Sequence, residues 1–253
     1  MSLQIGDALG DGIRRSLTYS GGVLMVLTFV YQLLFLGSVN AVFIDILPPE
    51  AQQSGQLGFA LPVPAAVASV IAVVGLAFGV VLYIAATRAL TREQSELNSL
   101  PGELFTRRMG RAFISSIGAN IIVTIAVTIG FILLFVPGIF LAISFIFVIF
   151  AIGVEDERAM DSLSRSWELA SGNRWGLFAL GLIVGVITAV GSSIGSVASF
   201  VSPAAGQVLS LALTSVFAII SYGILADAYL QVRGEKPGSG GGTTEPTSDP
   251  EAL

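Results

Sequence analysis

IIVTIAVTIGFILLFVPGIFLAISFIFVIFAIGV, Ile121–Val154, decides the fold. It contains no charged residue and is longer than the ~20 residues one helix needs to cross a bilayer. Pro137-Gly138 lies inside it. Proline ends the helix before it and glycine supplies the turn, so the block predicts two spans folded back on each other. Outward from this hairpin, apolar runs recur near Gly21–Phe43, Val63–Leu90, Arg111–Phe135, Gly138–Val154, Trp175–Ser199 and Pro203–Val232. The 253-residue chain is 54% apolar and 11% charged, with mean hydropathy +0.85. Soluble domains carry about 25% charged residues. Six spans occupy residues 1–233 as a single membrane domain, leaving no room for a second folded one. The expected fold is all-α: a polytopic transmembrane helix bundle of six spans in three hairpins, with cytoplasmic amphipathic helices.

Charge orients the bundle. Arg14 and Arg15 precede the first run, and Arg88, Arg92, Arg107, Arg108 and Arg111 surround the second gap. Arg158, Arg165 and Arg174 surround the fourth gap, and Arg233 and Lys236 follow the last run. The first, third and fifth gaps hold no Lys or Arg. The positive-inside rule then places both termini in the cytoplasm of a cell whose plasma membrane holds the protein. A cleaved signal peptide is the competing reading, with Val23–Leu36 as its apolar region and Val39-Asn40-Ala41 as its cleavage site. Signal peptides start with a short basic segment, whereas this one would be long and would contain Asp7 and Asp11.

Each hairpin has a lead segment on the basic side. In the first, about Ser2–Leu17, Ile5, Leu9, Ile13 and Leu17 recur every four residues, although Gly6, Gly10 and Gly12 weaken the helix. The second starts near Leu100, where Pro101 and Glu103 suit a first helical turn. In the third, about Glu155–Ala170, Ala159, Met160, Leu163, Trp167 and Ala170 form one face. Glu157, Asp161, Ser164 and Glu168 form the other. Such stripes lie in the membrane interface plane. Residues 234–253 are Gly-rich and acidic, with almost nothing apolar to pack, and read as a disordered tail.

Small residues at four-residue spacing let helix backbones approach closely where lipid offers no hydrophobic drive. Gly75 and Gly79 do this in the second span; Gly181, Gly185 and Ala189, and Gly191, Gly195 and Ser199, do it on two faces of the fifth. The fifth span is therefore expected at the centre of the bundle. Asp227 is the only acid inside a span, and an intramembrane ionisable residue is a functional-site candidate by default. Its place near the basic end favours an ion pair with a helix-end arginine such as Arg88, Arg111 or Arg174. Gln32, Asn40 and Asn120 read as interhelical hydrogen-bonding residues.

Absences narrow the chemistry. The chain has no His and no Cys. That removes a His general base, a His or thiolate metal ligand and a Cys nucleophile. An aspartyl dyad needs two carboxylates sharing one proton, and the spans offer one. Glu155, Asp156, Glu157 and Asp161 have the chemistry to bind a divalent cation, but acids at a helix start more often answer the helix dipole. No phosphate-binding or dinucleotide glycine motif is present. No cofactor, no metal and no nucleic acid is expected. The basic residues are spread along one membrane face, which suits anionic membrane lipids.

The stretch Val136–Phe178 carries a likeness. It reads Val-Pro-Gly-Ile-Phe-Leu, an apolar span, Val154-Glu155, Ser164-Arg165-Ser166-Trp167-Glu168-Leu169 and Gly172-Asn173-Arg174-Trp175. This resembles the six-span YciC-like membrane proteins and the membrane domain of certain glycerophosphodiester phosphodiesterases. The likeness covers about a sixth of the chain and implies architecture. It reaches Pro137, Gly138, Glu155, Arg165, Ser166 and Gly172. In those phosphodiesterases catalysis belongs to a soluble, His-dependent barrel that this chain lacks, so the activity is not implied here. A Glu155–Arg165 ion pair would hold the bend where a span turns along the membrane.

The candidate polar residues are thus Glu155, Arg165, Ser166, Arg174 and Asp227. The expected function is that of a multi-pass membrane protein, not an enzyme, that organises lipid or a partner protein. A carrier using Asp227 and the glycine-rich fifth span is the first alternative. The second is the membrane subunit of a lipid-processing enzyme.

Overall fold

The computed structural model describes residues 3–48, 58–198 and 202–234, with the side chains of 191, 192 and 194–198 falling outside it. The tail from residue 235, most of the first external turn and the packing of the Gly191–Gly195–Ser199 face therefore lie outside the described residues. All regular structure among the described residues is helical. The long helices are α2 (Tyr19–Ile46), α3 (Ala65–Leu90), α5 (Met109–Leu133), α9 (Arg174–Ala198) and α10 (Pro203–Arg233). Shorter ones are α1 (Ile5–Ser16), α4 (Glu103–Thr106), α6 (Phe135–Ser144), α7 (Val148–Val154) and α8 (Ala159–Ala170), with a 3₁₀ turn at Gln94–Asn98.

Five helical stretches are long and apolar enough to cross a membrane: α2, α3, α5, the α6–α7 pair and α10. A sixth counts if α8 and the described part of α9, bent by 101° to each other, are taken as one broken span. The outward faces are apolar, with Val73 70%, Ile132 77% and Val186 63% exposed. Apolar surface on that scale is satisfied by lipid, not water.

The hairpin in the deciding block turns elsewhere than expected. Helix α5 stops at Leu133, the extended residue Leu134 makes the turn, and α6 starts at Phe135. Pro137 sits in the first turn of α6, where its missing N–H has no intrahelical acceptor to lose. Gly138 is helical. A Cβ there would lie 2.5 Å from the Phe131 ring, and one on Gly130 would lie 2.9 Å from the Gly138 Cα. The glycine serves close helix contact instead of the turn.

The apolar block breaks a second time. Between α6 and α7 the chain leaves the helix at Phe145–Phe147. Ser166 Oγ, from α8, donates to the Ser144 carbonyl at 2.9 Å and accepts from the Phe147 N–H at 3.1 Å. Irregular backbone at membrane depth persists only where protein satisfies its polar groups, and Ser166 does so. This rotates the expected face of α8. Its buried residues are Ser162, Leu163, Ser166, Leu169 and Ala170, while Met160 is 65% exposed and Trp167 39%. The serines go inward because the broken span requires a hydroxyl there.

Helix α1 is also corrected. It docks against α10 through Ala8, Gly12 and Ser16. A Cβ on Gly12 would collide with the Ile224 backbone, and Ser16 Oγ donates to the Ile219 carbonyl at 3.0 Å. Ile5, Leu9 and Ile13 pack on the main core, and only Leu17 of the expected stripe is exposed, at 69%. The stripe is shared between protein neighbours, so α1 is not a free interfacial helix.

Helix α10, not α9, is the central element. It packs against α1, α2, α3 and α9. Added Cβ atoms on Gly181 and Gly185 would meet nothing within 4 Å, so that face of α9 is open. Gly75 and Gly79 do mediate packing, against Phe35 and Tyr31 of α2. A polar residue of α2 is used too: Asn40 Nδ2 donates to the Phe59 carbonyl at 2.7 Å. Asn40 thus ties down the chain entering α3.

Candidate functional site at the basic end of the bundle

One end of the bundle gathers the C-termini of α3, α7 and α10, the N-terminus of α5, and helices α1 and α8. Among the described residues, three ion-pair nodes with buried or largely buried carboxylates lie there, besides the exposed Arg92–Glu96 pair. Buried carboxylates and guanidinium groups persist only when paired and hydrogen-bonded.

The first node is Asp227 with Arg15, whose Nε and Oδ1 are 3.5 Å apart at 3% and 1% side-chain exposure. Gln231 Nε2 donates to Asp227 Oδ2 at 2.7 Å. Arg15 Nη1 donates to the carbonyls of Leu90 at 3.2 Å and Arg92 at 2.7 Å. The partner of Asp227 is therefore Arg15 and none of Arg88, Arg111 or Arg174. The helical register of α1 carried the missed signal: Arg15 lies one residue from Ser16 on the small-residue face that meets α10.

The second node is Glu155, the residue that ends α7. Arg165 Nε lies 2.9 Å from its Oε2 and Arg233 Nε 3.5 Å from its Oε1. The Tyr229 hydroxyl donates to the same carboxylate. Tyr229 is fully buried and stacks on Phe150. Arg165 also reaches Glu168 at 3.3 Å. The chain turns from α7 into α8 between Glu155 and Arg165, so this pair spans the bend.

Burial alone would raise the Glu155 pKa, but the Tyr229 hydroxyl and the Arg165 guanidinium outweigh it and hold the carboxyl below its ordinary range. A depressed folded-state value adds stability that is complete above the unfolded pKa, about 4.3 for Glu. That contribution is lost as pH falls from there through the lower folded value. Thermal unfolding of the purified protein in detergent is therefore expected to weaken across that acidic window. Glu155→Gln is expected to flatten that part of the profile. An unchanged profile in the variant would remove Glu155 from the account.

The third node is Asp156, in the left-handed region at φ 57. Arg88 Nη2 is 3.4 Å from its Oδ1 and Arg107 pairs with its Oδ2. Arg111 Nη2 donates to its carbonyl at 2.7 Å. Arg88 Nε also donates to the Gly153 carbonyl at 2.7 Å. Left-handed backbone costs a non-glycine residue roughly 1–2 kcal/mol, and three arginines hold Asp156 there. Glu155 and Asp156 thus answer arginines, and neither lies in the first turn of α8. Among the described residues no three Asp or Glu cluster as a metal site.

Arg174 stands apart from the carboxylates. Its guanidinium lies over Phe140 at 4.5 Å and Trp167 at 4.8 Å, a cation–π arrangement at the start of α9. Ser166 belongs to the broken span already described. Of the five candidates, Glu155 and Arg165 meet, and Asp227, Ser166 and Arg174 each serve a different contact. Tyr229 and the pairings of Arg233, Arg88 and Asp156 were not legible in the sequence, because only folding brings α3, α7 and α10 together.

Apolar helices that face outward around a buried ion-pair belt define a helical membrane protein of unknown function. Residues 3–232 match the family Domain of unknown function (DUF7847), and the chain belongs to that family. No curated protein and no solved structure matches it.

Proposed function

We propose that the chain is a multi-pass plasma-membrane protein without catalytic machinery. It organises membrane lipid or a partner protein from its cytoplasmic side, where both termini lie. The carrying observation is how charge divides at the basic end. Glu155, Asp156 and Asp227 are engaged by arginines of the belt, Arg107 among them, while Arg14, Arg108 and Arg158 are exposed around it. An outer ring of arginine attracts anionic headgroups, at about 1 kcal/mol for each residue near the surface. The likeness to the six-span YciC-like proteins supports the same arrangement of spans and basic helices. The carrier alternative is weakened by Asp227, which is fully buried between Arg15 and Gln231.

The chain has no cysteine, so single-cysteine variants report topology cleanly. Ser95→Cys is expected to react with a membrane-impermeant maleimide only in inside-out vesicles, and Asp45→Cys only in right-side-out ones. The reverse pattern would invert the orientation. For function, native mass spectra of gently extracted protein are expected to show retained anionic lipid. The triple variant Arg14→Gln/Arg108→Gln/Arg158→Gln, which leaves the three nodes intact, should lose it. A stoichiometric hydrolase subunit in the spectrum would instead favour the lipid-enzyme reading.

A further inference from the structure

A cleft of about 670 Å³ opens between α3, α5, the α6–α7 break and Tyr222 of α10. Its size falls within the range of small-molecule sites, roughly 300–1,000 Å³. Its outer walls include Val73, Leu76 and Ile121, which are 70%, 61% and 54% exposed, so the mouth faces the lipid side of the bundle. None of its lining residues is charged. Two polar residues one helical turn apart on α5, Ser116 and Asn120, also line it.

Ser116 is the unexplained group. It is 6% exposed, and its Oγ has no hydrogen-bond partner. A hydroxyl left unpaired away from water costs about 1–3 kcal/mol. Several other span serines show the usual solution: Ser144, Ser215 and Ser221 each donate to a carbonyl three or four residues back. Ser116 does not. Asn120 accepts from Thr124 at 3.5 Å and faces outward in an apolar span. At that depth no bulk water completes either group.

We propose that the cleft binds an uncharged lipid with a long apolar chain and a single oxygen head, a hydroxyl or a carbonyl, held by Ser116 and Asn120. The chain fills the apolar walls, and the head supplies the partner that Ser116 lacks. A phosphate or ammonium head would be buried without a counter-ion, which costs far more than the hydrogen bonds return. This inference rests on the membrane reading above but not on the arginine ring.

The test uses full-length protein in liposomes and a diazirine-bearing octadecanol as probe. Its labelling of peptides from α3 and α5 is expected to saturate and to be displaced by oleyl alcohol, with octadecyl phosphate displacing it poorly. Ser116→Ala should weaken labelling roughly five-fold, as expected for one uncharged hydrogen bond. Ala77→Phe, which fills the cleft, should abolish it. If Ala77→Phe fails to fold, Ser116→Ala with unlabelled oleyl alcohol as competitor decides alone. Non-saturating labelling spread over all outward faces would overturn the site while leaving the membrane reading intact. Equal competition by octadecyl phosphate would overturn the uncharged head. Failure of the wild type to enter liposomes would overturn the membrane reading itself.

Discussion

Arg15→Met is expected to destabilise the protein by about 3–5 kcal/mol, the cost of leaving a buried carboxylate without its cation. The pair it breaks is almost completely withdrawn from solvent, at 3% and 1% side-chain exposure. Arg15 also donates to two carbonyls at the end of α3, so its loss unfastens α1 from both α3 and α10. Thermal unfolding in detergent reads the effect as a lower midpoint. Asp227→Asn is expected to destabilise in the same direction, because it leaves the arginine buried and unpaired. Replacing both, as Arg15→Met/Asp227→Leu, should recover much of the loss, since an apolar pair carries no desolvation cost. A double variant as unstable as the sum of the singles would show that the two side chains act independently. Unchanged stability in Asp227→Asn, together with lost solute flux, would revive the carrier reading.

The second large effect is expected at Ser166. Ser166→Ala orphans the Ser144 carbonyl and the Phe147 N–H at the break between α6 and α7. Each buried unpaired group costs about 1–3 kcal/mol, so a loss of about 2–6 kcal/mol is expected for the two. Ser162 is the internal control. It is equally buried on the same helix, but its hydroxyl donates only to the Ala159 carbonyl of its own turn. Ser162→Ala should cost less than about 1 kcal/mol. Hydrogen exchange should separate them further, with Phe145–Val148 losing protection in Ser166→Ala and keeping it in Ser162→Ala. Equal behaviour of the two variants would mean that the break is held by packing alone.

Both effects come from residues whose type was visible and whose partner was not. Asp227 stood out as an acid in a span near a helix-end arginine, yet that arginine is Arg15 at the end of the lead helix and not Arg88, Arg111 or Arg174. Ser166 entered through a family likeness, and its physical role emerged only with a broken span beside it. Glu155 and Arg165 were easier, because they flank one turn of the chain and local connectivity limits how far apart they can be. The opposite case is the fifth span. Its glycines suggested a central helix, but a glycine reports that close approach is permitted, not that a neighbour arrives. Gly181 and Gly185 face open space, and Gly12, Gly130 and Gly138 are where backbones meet.

Sequence alone determined the helical class, the apolar runs and the one-sided placement of the bases. These follow from burying backbone polar groups in hydrocarbon and from the energy of moving charge across it, both of which act locally along the chain. Tertiary structure alone decided that α10 is the hub, that α1 is clamped to it through Gly12 and Ser16, and that α6–α7 is broken and mended by Ser166. It also left Ser116 without a partner in a cleft. Those features depend on which helices pack together and at what rotation, and the spacing of apolar residues is nearly silent on rotation when a helix is apolar all round.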